Sequence, residues 1–178
     1  MNARIWTSFV EFGLAVLMSG FIIALIYKVF VRANPDFDME AEIKKGNVAV
    51  GTLMGAIVFA AAMILQRGMG AVISMARMYF ASPGEYAVSL WKLVLISLGH
   101  LAFSMLLAVI TISVALRLFG RLDPGLKAGK RLKEGNLAIG ILLASVVLVA
   151  AMYVGEGVSA VTKAMVPQPS IGRIEILR

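Results

Sequence analysis

Four apolar runs, at 5–27, 48–65, 93–116 and 137–155, each have the length needed to cross a bilayer, and they decide what this chain can become. A hydrocarbon core about 30 Å thick is spanned by roughly 20 helical residues. Lipid offers no partner to an unpaired N–H or C=O, so a spanning segment must satisfy its own backbone, and each run is therefore expected to be a helix. Only Glu11 and His100 bring an ionisable group into these runs. With 60% of residues hydrophobic and 15% charged, too little polar surface remains to coat a soluble domain of 178 residues. The expected fold is all-α: a polytopic membrane protein with four transmembrane helices.

The chain also repeats itself. "EIKKGNVAVG" at 42–51 returns as "KRLKEGNLAIG" at 130–140, and a shift of 89 residues aligns 28–72 with 117–161 without a gap. Sixteen of those 45 positions are identical. Alanines could coincide by composition; Phe30/Phe119, Arg32/Arg121, Pro35/Pro124, Gly46/Gly135 and Asn47/Asn136 identify a tandem duplication. Each unit holds two spans, an even number, so both insert the same way round. Two parallel two-helix repeats about an approximate two-fold axis along the membrane normal are expected. The chain divides into a first repeat (1–74), an outer connecting segment (75–92), a second repeat (93–163) and an extended tail (164–178).

The Gly-Asn pair has a local reading. Asp38 can cap a short helix whose first turn carries Glu40 and Glu42 and whose end carries Lys44 and Lys45, matching the helix dipole. Gly46 takes the left-handed conformation that stops this helix, and Asn47 caps the second span, followed by Ala49. The second copy should follow the same plan through Asp123, Pro124, Gly135, Asn136 and Ala138. An alternative use of the two asparagines is a paired polar site at the mouth of the bundle. A charged loop running into Asn-x-Ala at the head of a Gly/Ala-rich span, here Asn47-Val48-Ala49 and Asn136-Leu137-Ala138, resembles the YjfL-like inner-membrane family (domain of unknown function 350). The resemblance covers roughly 5–160. It implies a bacterial inner-membrane protein of four spans, brings no established activity, and points weakly to envelope or membrane-stress functions.

Chemistry has few places to reside. On the third span Ser97, His100, Ser104 and Thr111 recur at helical spacing and form one polar, small-residue face; Glu11 holds the position equivalent to His100 in the first repeat. Such a face is first a packing seam, because small residues let helices approach and hydroxyls bond across the contact. If the first and third spans are central, Glu11 and His100 meet as an intramembrane polar pair; otherwise Glu11 is hydrated near the headgroups. One histidine and no cysteine exclude a Cys-ligated or multi-histidine metal site within the chain, and no cofactor is expected. No nucleophile, base and orienting group recur at usable spacing, so no enzyme is expected.

The net charge of +7 belongs to the membrane surface rather than to nucleic acid, since the basic residues flank spans. The two inter-span loops 28–46 and 117–135 hold ten of the 17 Lys and Arg residues, among them Arg121, Lys127, Lys130, Arg131 and Lys133, which are expected to meet lipid headgroups or partners. The positive-inside rule then places both loops in the cytoplasm and both termini outside. In "SPGEYAVSLWKL" Ser82 and Glu85 make a capping box with Pro83 at the first helical position, which would start the third helix at 83. The segment before it either continues the second helix or lies on the surface. In the tail, two prolines and the alternation of Ile171, Ile174 and Ile176 suggest a short strand held by a partner. The chain is therefore expected to be a non-enzymatic subunit or scaffold of an inner-membrane assembly, as a homo-oligomer or in a hetero-complex. The alternative is an oligomeric proton or ion channel, or a small transporter component, using Glu11 and His100.

Overall fold

The computed structural model describes residues 9, 12–13, 16, 19–20, 22–29, 38–81 and 90–165. These residues are helical apart from short turns, and no strand occurs among them. The elements are α1 (22–29), α2 (Met39–Lys44), α3 (Val48–Ala81), α4 (Leu90–Leu122), a 3₁₀ turn (Pro124–Leu126), α5 (Ala128–Lys133) and α6 (Leu137–Met165). Among the described residues three helices are long and apolar enough to cross a membrane, through Val48–Gly70, Val94–Leu122 and Leu137–Thr162. Of the expected first span, the described positions are helical, but most of it, Glu11 included, lies outside the described residues, as do 82–89 and the tail beyond 165. The capping box at Ser82 and the tail strand therefore fall outside them too. The segment after 67 continues the second span: α3 runs unbroken to Ala81, past the boundary expected at 74.

α3 is the axis of the structure. Ala49, Val50, Ala60, Ala61 and Ile64 on it are wholly buried, and both α4 and α6 pack along it. The contacts are close because small residues face each other. A Cβ on Gly140 of α6 would lie 2.6 Å from the carbonyl oxygen of Ala49, and one on Gly68 of α3 would strike the Ser104 hydroxyl of α4. In lipid, where apolar surface gains nothing by leaving its solvent, such backbone-to-backbone fit supplies much of the helix association. At the other end of the pair, Arg67 Nη2 of α3 meets Glu156 Oε1 of α6 at 2.8 Å. Contacts of 49 with 140 and of 67 with 156 fix the two helices side by side in the same direction.

The approximate two-fold expected between the repeats holds at 67 and 156, where equivalent positions meet, and fails at the loop end of the same helix pair. A two-fold would pair Gly51 with Ala138 wherever Ala49 meets Gly140. Among the described residues nothing lies within 4 Å of a Cβ placed on Gly51, and Ala138 is exposed while Ala49 is buried. Among the described residues, the joint between the halves runs in one direction only at its loop end.

Candidate functional site

The polar chemistry of the described residues concentrates where the two inter-span loops meet. Asp38 caps α2, its Oδ1 accepting from the Ala41 N–H at 2.9 Å; Glu40 and Glu42 lie in the first turn and Lys44 in the last. The helix stops at Gly46 with φ +79, where the Gly46 and Asn47 N–H groups donate to the Ile43 and Glu42 carbonyls, a Schellman closure. Asn47 then begins α3: its carbonyl accepts from the Gly51 N–H at 3.0 Å and its Oδ1 from the Val50 N–H at 3.2 Å. At the second loop, Gly135 (φ +78) and Asn136 repeat these bonds toward Leu132, Arg131, Ile139 and Gly140.

The second loop departs from the plan at its start. The position matching Asp38 is Lys127, which cannot accept a hydrogen bond, so α5 begins without a side-chain cap. Asp123 instead caps the separate 3₁₀ turn, its Oδ1 accepting from the Leu126 N–H at 3.1 Å. Lys127 is forced into the left-handed region, φ 46, to redirect the chain into α5.

The two asparagines also part company. The Asn47 carboxamide nitrogen donates to the Leu132 carbonyl at 3.0 Å and the Lys133 carbonyl at 3.2 Å, both at the end of α5, and to Glu42 Oε2 at 3.2 Å. Glu42 Oε1 in turn receives Lys45 Nζ at 2.8 Å. The Lys45 ammonium foremost, and Asn47 after it, hold the Glu42 carboxyl below its usual range, while Glu42 and Glu40 raise Lys45 and Lys44. Asn47 thus ties its own loop to the other repeat's loop. Asn136 makes no such bond and is exposed. The pair of equivalent asparagines is one joint and one open end, rather than a paired site.

Of the expected polar face on α4, His100 and Ser104 are buried, 4% and 0% exposed, and Ser97 and Thr111 are half-buried. His100 Nδ1 and Ser104 Oγ have no hydrogen-bond partner. Ser104 lies against Gly68, so this face packs on α3. Glu11 lies outside the described residues, and with it the Glu11–His100 pair. Arg121, Lys127, Lys130, Arg131 and Lys133 are all exposed. No cluster of three potential metal ligands occurs among the described residues. The Arg67–Glu156 bridge was missed from sequence, although a signal existed: the two occupy the same repeat position with opposite charge.

Helices of this length and apolarity, threaded by buried small residues and closed at one end by charged loops, define a polytopic α-helical membrane protein. The chain belongs to the family described as Domain of Unknown Function (DUF350), which matches residues 4–158. No curated protein and no solved structure matches it.

Proposed function

We propose that the chain is a non-enzymatic membrane subunit, a four-span scaffold within a bacterial inner-membrane assembly, with the charged loops on the cytoplasmic side. The carrying observation is where the polar side chains are used. Asn47, Glu42, Arg67 and Glu156 join helices or loops to one another, and little reactive chemistry is left over among the described residues. Much of the described span surface is exposed apolar side chain, suited to lipid and to other membrane helices. Envelope or membrane-stress roles fit a scaffold of this kind. The duplication accounts for both loops lying together, since Asn47 binds across them. Native mass measurement of the detergent-extracted complex, with partners identified, tests the reading: more than one polypeptide is expected, and a monomer with no partner in lipid would count against it.

A proton-conducting role has one observation in its favour, the unpartnered, buried His100 Nδ1 and Ser104 Oγ on one face of a membrane helix. It predicts a proton flux in reconstituted vesicles that Glu11→Gln or His100→Ala abolishes while the complex stays intact. The scaffold reading predicts no measurable flux in the wild type.

A further inference from the structure

The one-directional loop end of the joint leaves both of its mating surfaces open once more. In the first repeat, α3 and α1 present Ile22, Ile26, Ala56, Ile57, Ala60 and Ala61, and all six are buried. The same positions of the second repeat are Thr111, Ala115, Ser145, Val146, Val149 and Ala150. These six line an open cleft of about 660 Å³ between α4 and α6, and Val149 on its wall is 53% exposed. A surface fully covered in one copy of a duplicated unit is half-buried in the other, with Ser145 and Val149 exposed.

The complementary surface is open as well. Gly140 lies against the Ala49 backbone, and one turn further along Ala144 is also buried. Their counterparts on α3 are Gly51, half-buried with nothing near its Cβ position among the described residues, and Gly55, exposed. At the loop end the pattern holds. Leu132 and Lys133 offer carbonyls to Asn47, and their counterparts Ile43 and Lys44 have the same acceptors at the end of α2. Asn136, the counterpart of Asn47, has its carboxamide nitrogen unused. Donor, cleft and small-residue edge recur unmated, and the Ile43 carbonyl, like that of Leu132, accepts one loop N–H and has a second lone pair to offer.

We propose that a second copy of this chain docks the Gly51/Gly55 edge of its α3 into the α4/α6 cleft, so that the joint between repeats is repeated between chains. The proposal rests on the subunit reading above and names the partner. Asn136 would donate to the Ile43 and Lys44 carbonyls of the neighbouring copy, and Ala138 would meet its Gly51. At the far end, Glu156 keeps a second oxygen, and Arg67 further N–H donors, for the adjoining copy, since each is partly exposed beside its present partner. The contact is heterologous, head to tail. Both repeats lie at one depth, because 67 meets 156, and a heterologous contact repeated at one depth gives a ring where its rotation closes.

The absence of cysteine makes the test clean. Chains carrying Gly51→Cys and chains carrying Ala138→Cys, with different tags, are co-expressed and oxidised in the membrane. Covalent heterodimers between the two variants are expected, with several-fold less product when either variant is expressed alone. Native mass of the wild type in lipid nanodiscs should give several copies. Gly51→Leu and Val149→Trp should each shift that mass to one copy without reducing membrane insertion, because neither position is packed within the chain. Single copies bound to a different protein would overturn self-docking and leave the subunit reading standing. Single copies surrounded by lipid alone, with no 51–138 product, would overturn both. Cross-links of 138 with 138 in place of 51 with 138 would replace the head-to-tail contact by a two-fold dimer and overturn the proposal.

Discussion

Asn47 and Asn136 are the same residue in the same sentence of sequence, yet they carry different loads. Both cap a membrane helix through Oδ1. Replacing an Asn cap by Ala costs about 1 kcal/mol, and this is the expected loss for Asn136→Ala in the isolated chain. Asn47→Ala also removes the bonds to the Leu132 and Lys133 carbonyls, so its loss should be larger, roughly 2–3 kcal/mol, read as a lower melting temperature in detergent. Equal losses would mean that the cross-loop bonds contribute nothing. Glu42 adds a pH dependence to this joint. Its folded pKa lies below 4.5 because Lys45 and Asn47 stabilise the carboxylate. The unfolded chain therefore binds its proton first as pH falls; the stabilisation is present above about pH 4.5 and is lost as pH drops through the lowered folded value. Wild type and Glu42→Gln should differ in melting temperature at neutral pH and converge in acid. The capping roles of Gly46 and Asn47 were legible because they depend only on neighbours in sequence. The division of labour between Asn47 and Asn136 was not, because it depends on which side of each repeat the other one covers.

At the scale of helices, the second loop shows how one substitution in a duplicated unit reroutes a chain. Lys127 stands where Asp38 stands in the first loop, and the cap disappears with the carboxylate. The chain recovers by a 3₁₀ turn capped by Asp123 and by putting Lys127 in the left-handed region, which costs a residue with a Cβ about 1 kcal/mol. Lys127→Gly removes that strain and, with its exposed side chain contributing no packing, should raise stability by roughly 0.5–1 kcal/mol; Asp38→Ala should lower it by about 1 kcal/mol. Both are read from thermal unfolding of the purified chain. The repeat alignment made two loop helices legible, and both exist. The alignment puts the start of the second at 128, where it begins; reading Asp123 as its cap did not, because the cap position itself carries Lys127. Small residues four apart recur on α3 as Gly51/Gly55 and Ala56/Ala60 and on α6 as Gly140/Ala144, a spacing that lets helices approach, but only the structure shows that Gly140, not Gly51, takes the close contact within the chain. Gly140→Ala should therefore push α6 off Ala49 at a cost of about 1–3 kcal/mol, whereas Gly51→Ala should leave the melting temperature of the isolated chain unchanged.

For the whole molecule, hydropathy made the membrane class legible, since lipid permits few alternatives, and the spans on α3, α4 and α6 follow it. Orientation is a separate question that hydropathy leaves open, and the proposed one rests on charge. The Asn47 bonds to Leu132 and Lys133 place both basic loops at one end of the bundle. Lys44, Lys45, Arg121, Lys127, Lys130 and Arg131 are therefore gathered on one membrane face, all of them exposed. A cluster of that sign is held on the cytoplasmic side during insertion and is attracted there by anionic lipid, by about 1 kcal/mol per cation near the surface. The opposing segments carry seven basic residues spread along more chain, against the ten concentrated in the two loops. A cysteine introduced at Gly129, exposed in α5 and with open space around its Cβ position, should resist an impermeant thiol reagent applied to intact cells and react once the membrane is opened. A cysteine at Ser170, beyond α6, should react in intact cells. Since the natural chain contributes no thiol, each signal belongs to the introduced residue. Labelling at 129 but not at 170 would invert the topology, put the basic loops outside, and leave the Asn47 joint intact but facing the opposite compartment.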